Sequence, residues 1–309
     1  MLGIVTPSYN QGQFIEQTID SVLSQGYPNL QYVIIDGGST DNSVEVIRKY
    51  EKHLTYWVSE KDRGQSHAIN KGLARLNVDV WAYLNSDDFY MPDTFAKVMD
   101  AFADPSVQWV TGAGRYIDVN GDTVRDLVPI AKWTMAEVVR DYIPDPVMAA
   151  IQGSNFMRAA VFTNYGPYRE DLHYCMDFEF NHRVMMDGGR PHIVDGFISM
   201  ARLHPASKTV SKAPGGAFAA EKAIILRELL SHPRMTEDMV VSAKKALSDH
   251  RKLSAVAEAR REWEISGKIG GLLKMAQSFI TQPYLIAYRP ALGLVRQIMK
   301  TPGPSGSQS

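Results

Sequence analysis

Two adjacent carboxylates closing an apolar run are the sharpest chemical feature of this 309-residue chain. Trp81-Ala82-Tyr83-Leu84 reads as a buried strand that ends abruptly in Asn85-Ser86-Asp87-Asp88. Neighbouring carboxylates repel each other and burial raises that cost, so such a pair persists where a cation or hydrogen-bond donors compensate it. The chemistry implied is capture of a divalent metal. A turn leading into a helix explains the same residues, because Asn, Ser and Asp favour turns and N-caps and Pro92 suits a first helical turn. The elements around the stretch have to decide between the two.

Those elements repeat. Leu2 to Thr6 is a strand-like run halted by Pro7, and after the polar loop Ser8-Tyr9-Asn10-Gln11-Gly12 an apolar face at Phe14, Ile15, Thr18, Ile19, Val22 and Leu23 predicts a helix ended by Gly26 and Pro28. Tyr32-Val33-Ile34-Ile35 is a second strand, stopping at Asp36-Gly37-Gly38, and Ser39 to Asn42 caps a helix carrying Val44, Val46 and Ile47. Leu54 to Val58, the loop Asp62-Arg63-Gly64-Gln65-Ser66 and a helix with Ala68, Ile69, Leu73 and Leu76 complete a third unit leading to Trp81. Apolar strands alternating with helices predict an α/β fold with a mainly parallel central sheet flanked by helices. Ligands in such sheets bind outside the carboxyl ends of the strands. Thr6 to Tyr9, Asp36 to Gly38 and Asn85 to Asp88 therefore share one rim.

Several function classes lose support. Pro7 to Gly12 is neither the G-x-G-x-x-G of a dinucleotide site nor a P-loop, and no H-E-x-x-H or G-x-S-x-G occurs. A formal net charge of -1 argues against coating nucleic acid. The single cysteine, Cys175, rules out an internal disulfide framework and reads as a small core residue. His53, His67, His173, His182, His192, His232 and His250 lack metal-type spacing with one another. No basic n-region or long apolar stretch opens the chain and no window reaches about 18 apolar residues, which sets the expectation of a cytoplasmic protein.

The combination Thr6-Pro7-Ser8-Tyr9-Asn10, Ile34-Ile35-Asp36-Gly37-Gly38-Ser39-Thr40-Asp41 and Leu84-Asn85-Ser86-Asp87-Asp88 resembles the nucleotide-sugar domain of family 2 glycosyltransferases. The resemblance covers roughly the first two-thirds of the chain. It implies a GT-A fold, an inverting sugar transfer from a UDP-linked donor and a divalent cofactor, Mn2+ or Mg2+. Thr6, Pro7, Ser8 and Tyr9 would then line the nucleoside pocket, Asp36 would accept a hydrogen bond from the base, and Gly64, Gln65, Asn85, Ser86, Asp87 and Lys208 would complete the donor contacts. Asp87 would occupy the second acid of the metal-binding D-x-D, supported by Asp88, with His204 after the last core strand completing the metal site. Asp177, near the start of a helix marked by Met176, Phe180 and Val184, would be the catalytic base, with Glu179 as runner-up. Two departures stand out: Asn85 replaces the first acid, and Gly37 stands where the family often has a second aspartate. A nucleotidyltransferase and a non-catalytic nucleotide-sugar module are the competing readings; the former would want a glycine-rich, arginine-bearing loop after the first strand.

The remaining segments divide the chain. Residues 1–105 are read as the nucleotide-sugar half and 106–215 as the acceptor-side half of one catalytic domain. In the latter, Gln108 to Thr111 and Arg115 to Val119 with Asn120-Gly121 predict antiparallel strands. A proline-containing stretch through Pro144 and Pro146 precedes Ile151 to Phe156 and a short helix around Arg158 to Thr163. Residues 216–300 form a helical extension, and 301–309 read as a disordered tail. Beyond Glu264 there is no acidic residue, while Lys268, Lys274, Arg289, Arg296 and Lys300 interleave with Leu272, Leu273, Phe279, Ile280, Tyr284, Leu285, Ile286 and Leu294. This basic amphipathic pattern suits an anionic membrane surface through 265–300, which would make the protein peripheral on the inner face of the cell membrane. Packing on the catalytic domain or a homo-oligomer contact explains the same residues. The expected substrates are a nucleotide diphosphate sugar and a glycan or lipid-linked acceptor, in cell-surface polysaccharide synthesis.

Overall fold

The computed structural model describes residues 1–132, 134–140, 151–208, 210, 214–281 and 289–300. Two compact units emerge, Met1–Val210 and Ser211–Ser309. The expected division between halves at 105 falls inside the first unit. Pro144, Pro146, Thr209, the stretch from Tyr284 to Ile286 and the tail from 301 lie outside the described residues.

The first unit opens with the expected alternation. β1 (Leu2–Ser8), α1 (Ile15–Leu23), β2 (Leu30–Asp36), α2 (Ser43–Lys49), β3 (Tyr56–Ser59), α3 (Gln65–Leu73) and β4 (Val80–Tyr83) follow in order. β3, β2, β1 and β4 lie side by side and parallel. Leu2, Ile4, Tyr32, Ile34 and Ala82 on one face of the strands join Ile15, Ile19 and Val22 of α1 in a core of fully or almost fully buried side chains. The register places Ser8 opposite Asp36 and Asp36 opposite Ser59, so three polar strand ends form one row.

Beyond β4 the sheet becomes mixed. β5 (Phe89–Tyr90), α4 (Thr94–Ala101), β6 (Trp109–Ile117), β7 (Thr123–Leu127), α5 (Met135–Arg140), β8 (Phe156–Arg158), α6 (Ala159–Tyr165), α7 (Met176–Met186) and β9 (His192–Arg202) complete the unit. β8 runs antiparallel between β4 and β6, β9 is parallel to β6, and β5 pairs antiparallel with β9. The two strands expected between Gln108 and Val119 are one continuous β6, and the Asn120-Gly121 turn joins it to antiparallel β7. Asn155 binds the Trp109 indole at 2.9 Å, tying β6 to the start of β8.

In the second unit, α8 (Pro214–Leu229), α9 (Glu237–Thr281) and α10 (Arg289–Lys300) are helical as the composition predicts. α9 is broken at Gly267, whose φ of 72° an L side chain rarely adopts. Ala259 and Met275 on either side of the break pack with Ala291, Leu294 and Ile298 of α10. No helix among the described residues is long and apolar enough to cross a membrane.

Candidate active site

The rim is built by loops that bind each other. After β1, Asn10 adopts φ 52°; its N–H donates to Ser39 Oγ at 2.8 Å and its side-chain oxygen accepts from Thr40 N–H at 2.8 Å. Gln11 N–H and Gly12 N–H reach Ser43 Oγ and Asp41 Oδ2, both at 2.9 Å. Partial burial pushes the Asp41 carboxyl up, but hydrogen bonds from Ser43 and Gly12 outweigh it and hold the group below the usual carboxylate range. Asp36 is fully buried. Its Oδ2 accepts from Gly38 N–H, Ser39 N–H and Ser59 Oγ, at 3.1, 2.9 and 2.6 Å, and its Oδ1 from Ser39 Oγ at 2.5 Å. Asp36 thus scaffolds the loop after β2, where the expectation gave it a hydrogen bond from the base.

Thr6 requires a correction. Its side chain is fully buried and shares a hydrogen bond of 3.0 Å with the Tyr32 hydroxyl, because β1 is a central strand covered on both faces. It does not line an open pocket. Ser8 is also buried, with an unpaired Oγ among the described residues, Pro7 is buried, and Tyr9 stands 60% exposed.

The Asn85–Asp88 turn separates the two carboxylates. Asp87 Oδ2 faces His204 Nε2 at 2.9 Å, although they stand 117 positions apart in the chain. Phe14 packs its ring 4.8 Å from that of His204 and closes the imidazole from the other side. Asp88 turns inward: Oδ1 accepts from Arg202 N–H at 2.9 Å and Oδ2 from the Asn85 side-chain amide at 3.1 Å. Burial, with repulsion from Asp87, pushes the Asp88 carboxyl well above its usual range. Of the expected ligands Asp87, His204 and Asp88, the first two meet at the rim while Asp88 is engaged in the interior. Among the described residues no three His, Cys, Asp or Glu side chains gather as a metal site. The pair fits a divalent cation all the same, since a carboxylate oxygen and an imidazole nitrogen suit a cation that completes its shell with water and substrate phosphate oxygens.

Asn85 is part of a polar relay. Gln65 Nε2 donates to Asn85 Oδ1 at 2.6 Å, and Lys208 Nζ donates to Gln65 Oε1 and to the His173 carbonyl, both at 2.7 Å. The first residue of α3, the turn after β4 and the loop after β9 are joined in this way, with Gly64 at φ 113° permitting the close entry into α3. Ser86 is buried within the turn. Thr18 of α1 donates to the Asp88 carbonyl at 2.7 Å and anchors the turn from beneath.

Asp177 sits in the first turn of α7, with its Oδ1 accepting from Phe178 N–H at 2.8 Å. α7 is aligned by aromatic packing. Phe180 stacks on Tyr168 with centroids 4.4 Å apart, and Tyr168 meets Tyr83 of β4 edge-on at 5.5 Å. Burial raises the Tyr83 hydroxyl well above its usual range, and Asp177 and Asp88 both add to the shift. Glu179 is different: its carboxylate pairs in two-pronged fashion with Arg183, at 2.8 and 2.9 Å, and is buried. An arginine in that geometry stabilises the charged form and makes a poor proton acceptor.

Two residues near the rim escape the sequence reading. Asp62, in the loop before α3, lies against Gly37: a Cβ placed on Gly37 would stand 2.8 Å from Asp62 Oδ2. Arg202 is buried beside the turn through its contact with Asp88. The Gly37 departure was a signal for the first; nothing in the pattern marked the second.

The family model described as Glycosyl transferase family 2 matches residues 3–166. An uncharacterized glycosyltransferase of Mycobacterium tuberculosis is 29% identical over 184 residues, 58% of this chain and 66% of that protein. The putative teichuronic acid biosynthesis glycosyltransferase TuaG of Bacillus subtilis is 35% identical over 105 residues, 32% of this chain and 41% of TuaG. The matched segment thus spans less than two-thirds of either relative. The solved structure of S. aureus TarS 1-349 with UDP-GlcNAc superposes with a TM-score of 0.60 at 14% identity, covering 96% of this chain and 90% of that one. The mannosyltransferase PcManGT of Pyrobaculum calidifontis, solved with GDP-Man and Mn2+, gives a TM-score of 0.56 at 16% identity over 96% and 84% of the two chains. These likenesses show the fold, which is GT-A.

Proposed function

Because this chain belongs to glycosyl transferase family 2, we propose that it moves a sugar, with inversion, from a UDP-linked donor to a hydroxyl of a glycan or lipid-linked acceptor in cell-surface polysaccharide synthesis. The observation that carries the reading is the meeting of Asp87 and His204 at the end of β4, on the rim formed by the loops after β1 and β2. A divalent cation held by this pair would offset the negative charge of the departing diphosphate. UDP is favoured by the printed ligand of TarS, and the polysaccharide role by the printed name of TuaG. The family assignment sets the nucleotidyltransferase alternative aside.

Asp177 removes the proton from the acceptor hydroxyl as that oxygen attacks the anomeric carbon opposite the diphosphate. Glu179 is unsuited because Arg183 holds it. The wall of Tyr83, Tyr168 and Phe180 fixes the direction of α7 and so of the base. Lys208, Gln65 and Asn85 hold the loop after β9 beside the rim, where the Lys208 ammonium would face the diphosphate.

The test is Asp177→Asn. Transfer should fall by about 10²–10⁴, while the thermal shift produced by UDP-GlcNAc with Mn2+ stays at its wild-type value. Near-normal turnover would sink the base assignment.

A further inference from the structure

Arg202 is a buried cation whose compensation is incomplete. Its side chain and backbone together are 8% exposed. Nη2 donates to Gln17 Oε1 at 2.6 Å, Nη1 makes a long 3.4 Å contact with the Asp118 carbonyl, and the enclosed Nε has no acceptor among the described residues. The guanidinium lies over the rings of Phe14 and Phe89, at 5.0 and 5.8 Å. Its side-chain partners among the described residues are thus an amide, a carbonyl and two ring faces, with no carboxylate. Of the acids touching Arg202, Asp88 takes its main-chain N–H and Asp118 offers a main-chain carbonyl. A buried guanidinium in that state is costly unless an anion reaches it.

A place for the anion adjoins it. Arg202 lines a pocket of about 370 Å³ with Gln17, Phe89, Asn120, Thr123 and Met200. That volume lies within the range of small-ligand sites. Arg115 also borders it, but its charge is matched by Asp126 at 2.5 and 3.0 Å. The lining therefore combines one uncompensated cation, neutral amide and hydroxyl groups, and an apolar floor, which together suit a hydroxylated ring bearing a single negative group. The position is specific as well. Phe89 follows Asp87 by two residues and Arg202 precedes His204 by two, and two residues of chain span at most about 7 Å.

We propose that this pocket binds an oxyanion, carboxylate or phosphate, carried by the saccharide acceptor close to the hydroxyl that receives the new sugar. The word acceptor rests on the transferase reading above; the anion site does not. Arg202 brings to the pocket a fixed positive charge with terminal N–H donors, which a carboxylate or phosphate oxygen accepts from. Compensation by the occupant then places the acceptor beside the Asp87–His204 pair.

Calorimetric titration of the full chain with methyl glucuronide, glucose 6-phosphate, inorganic phosphate and neutral methyl glucoside tests this. The charged sugars should bind saturably, the glucoside should not, and whichever of glucuronide and glucose 6-phosphate is tighter identifies the anion. Arg202→Gln should weaken that binding at least tenfold. Thr123→Trp, at an exposed position on the lip, should block it even if the arginine variant fails to fold. Undiminished binding in both variants, equal binding of the glucoside, or tighter binding of inorganic phosphate than of glucose 6-phosphate overturns the proposal. UDP-GlcNAc with Mn2+ is titrated alongside. Donor binding without binding of any anion defeats the pocket alone, whereas anion binding without donor binding leaves the site standing and defeats the UDP-GlcNAc donor reading.

Discussion

Asn85 explains its own departure from the family's acid. Its amide accepts from Gln65 on one side and donates to Asp88 on the other, a task a carboxylate could not perform without facing a second carboxylate. Gly37 has an equally local reason: Asp62 already fills the space that a side chain there would need. Gly37→Asp therefore sets two carboxylates into one volume. It should destabilise the fold by about 1–3 kcal/mol, the usual effect of overpacking, and reduce the thermal shift given by UDP-GlcNAc. A melting temperature and donor shift equal to wild type would contradict the role given to Asp62.

At the scale of elements, polar end groups of parallel strands are brought together by register, and α7 is directed by the rings of Tyr168 and Phe180. The helices of the second unit carry a separate titration. His250 of α9 is buried, and burial, reinforced by the Lys222 charge and opposed by Asp249, lowers its pKa from 6.5 to about 4. The unfolded chain takes up this proton at higher pH than the folded one. Stability is thus complete above pH 6.5 and is lost as the pH falls toward 4. Hydrogen exchange of α8 and α9 should accelerate across that window, and His250→Gln should flatten the dependence. An unchanged acid profile in the variant would assign the effect elsewhere.

At the scale of the whole molecule, the apolar residues of the helical unit divide: Leu272, Phe279 and Leu294 pack between α9 and α10, whereas Leu273 and Ile280 face outward. Ile265, Ile269, Leu273 and Ile280 are 69%, 73%, 66% and 81% exposed. Ile269, Leu273 and Ile280, all after the break at Gly267, are spaced to share one side of that helical segment, in a stretch containing basic and no acidic residues. Such a stripe would suit an anionic lipid interface. The pair of substitutions Ile269→Glu and Leu273→Glu should reduce cosedimentation with phosphatidylglycerol vesicles and leave UDP-GlcNAc binding intact. Equal cosedimentation of variant and wild type would remove the membrane assignment.

The sequence by itself determined the parallel half of the fold, the rim and the base candidate. Continuous apolar runs ending at Thr6, Ile35 and Leu84 can be strands only if both faces are covered, and Asp177 stands where α7 begins. Tertiary structure decided what each polar group does there. Asp87 and Asp88 are neighbours in the chain, yet one meets His204 at the rim and the other caps Arg202 N–H in the interior. Thr6 turned inward to Tyr32, Glu179 was taken by Arg183, and Arg202 became a buried cation beside a pocket. The reason is physical: apolar periodicity is a local property of the chain, whereas the partner of a buried polar group is chosen by whichever donor or charge a distant segment brings within about 3 Å of it.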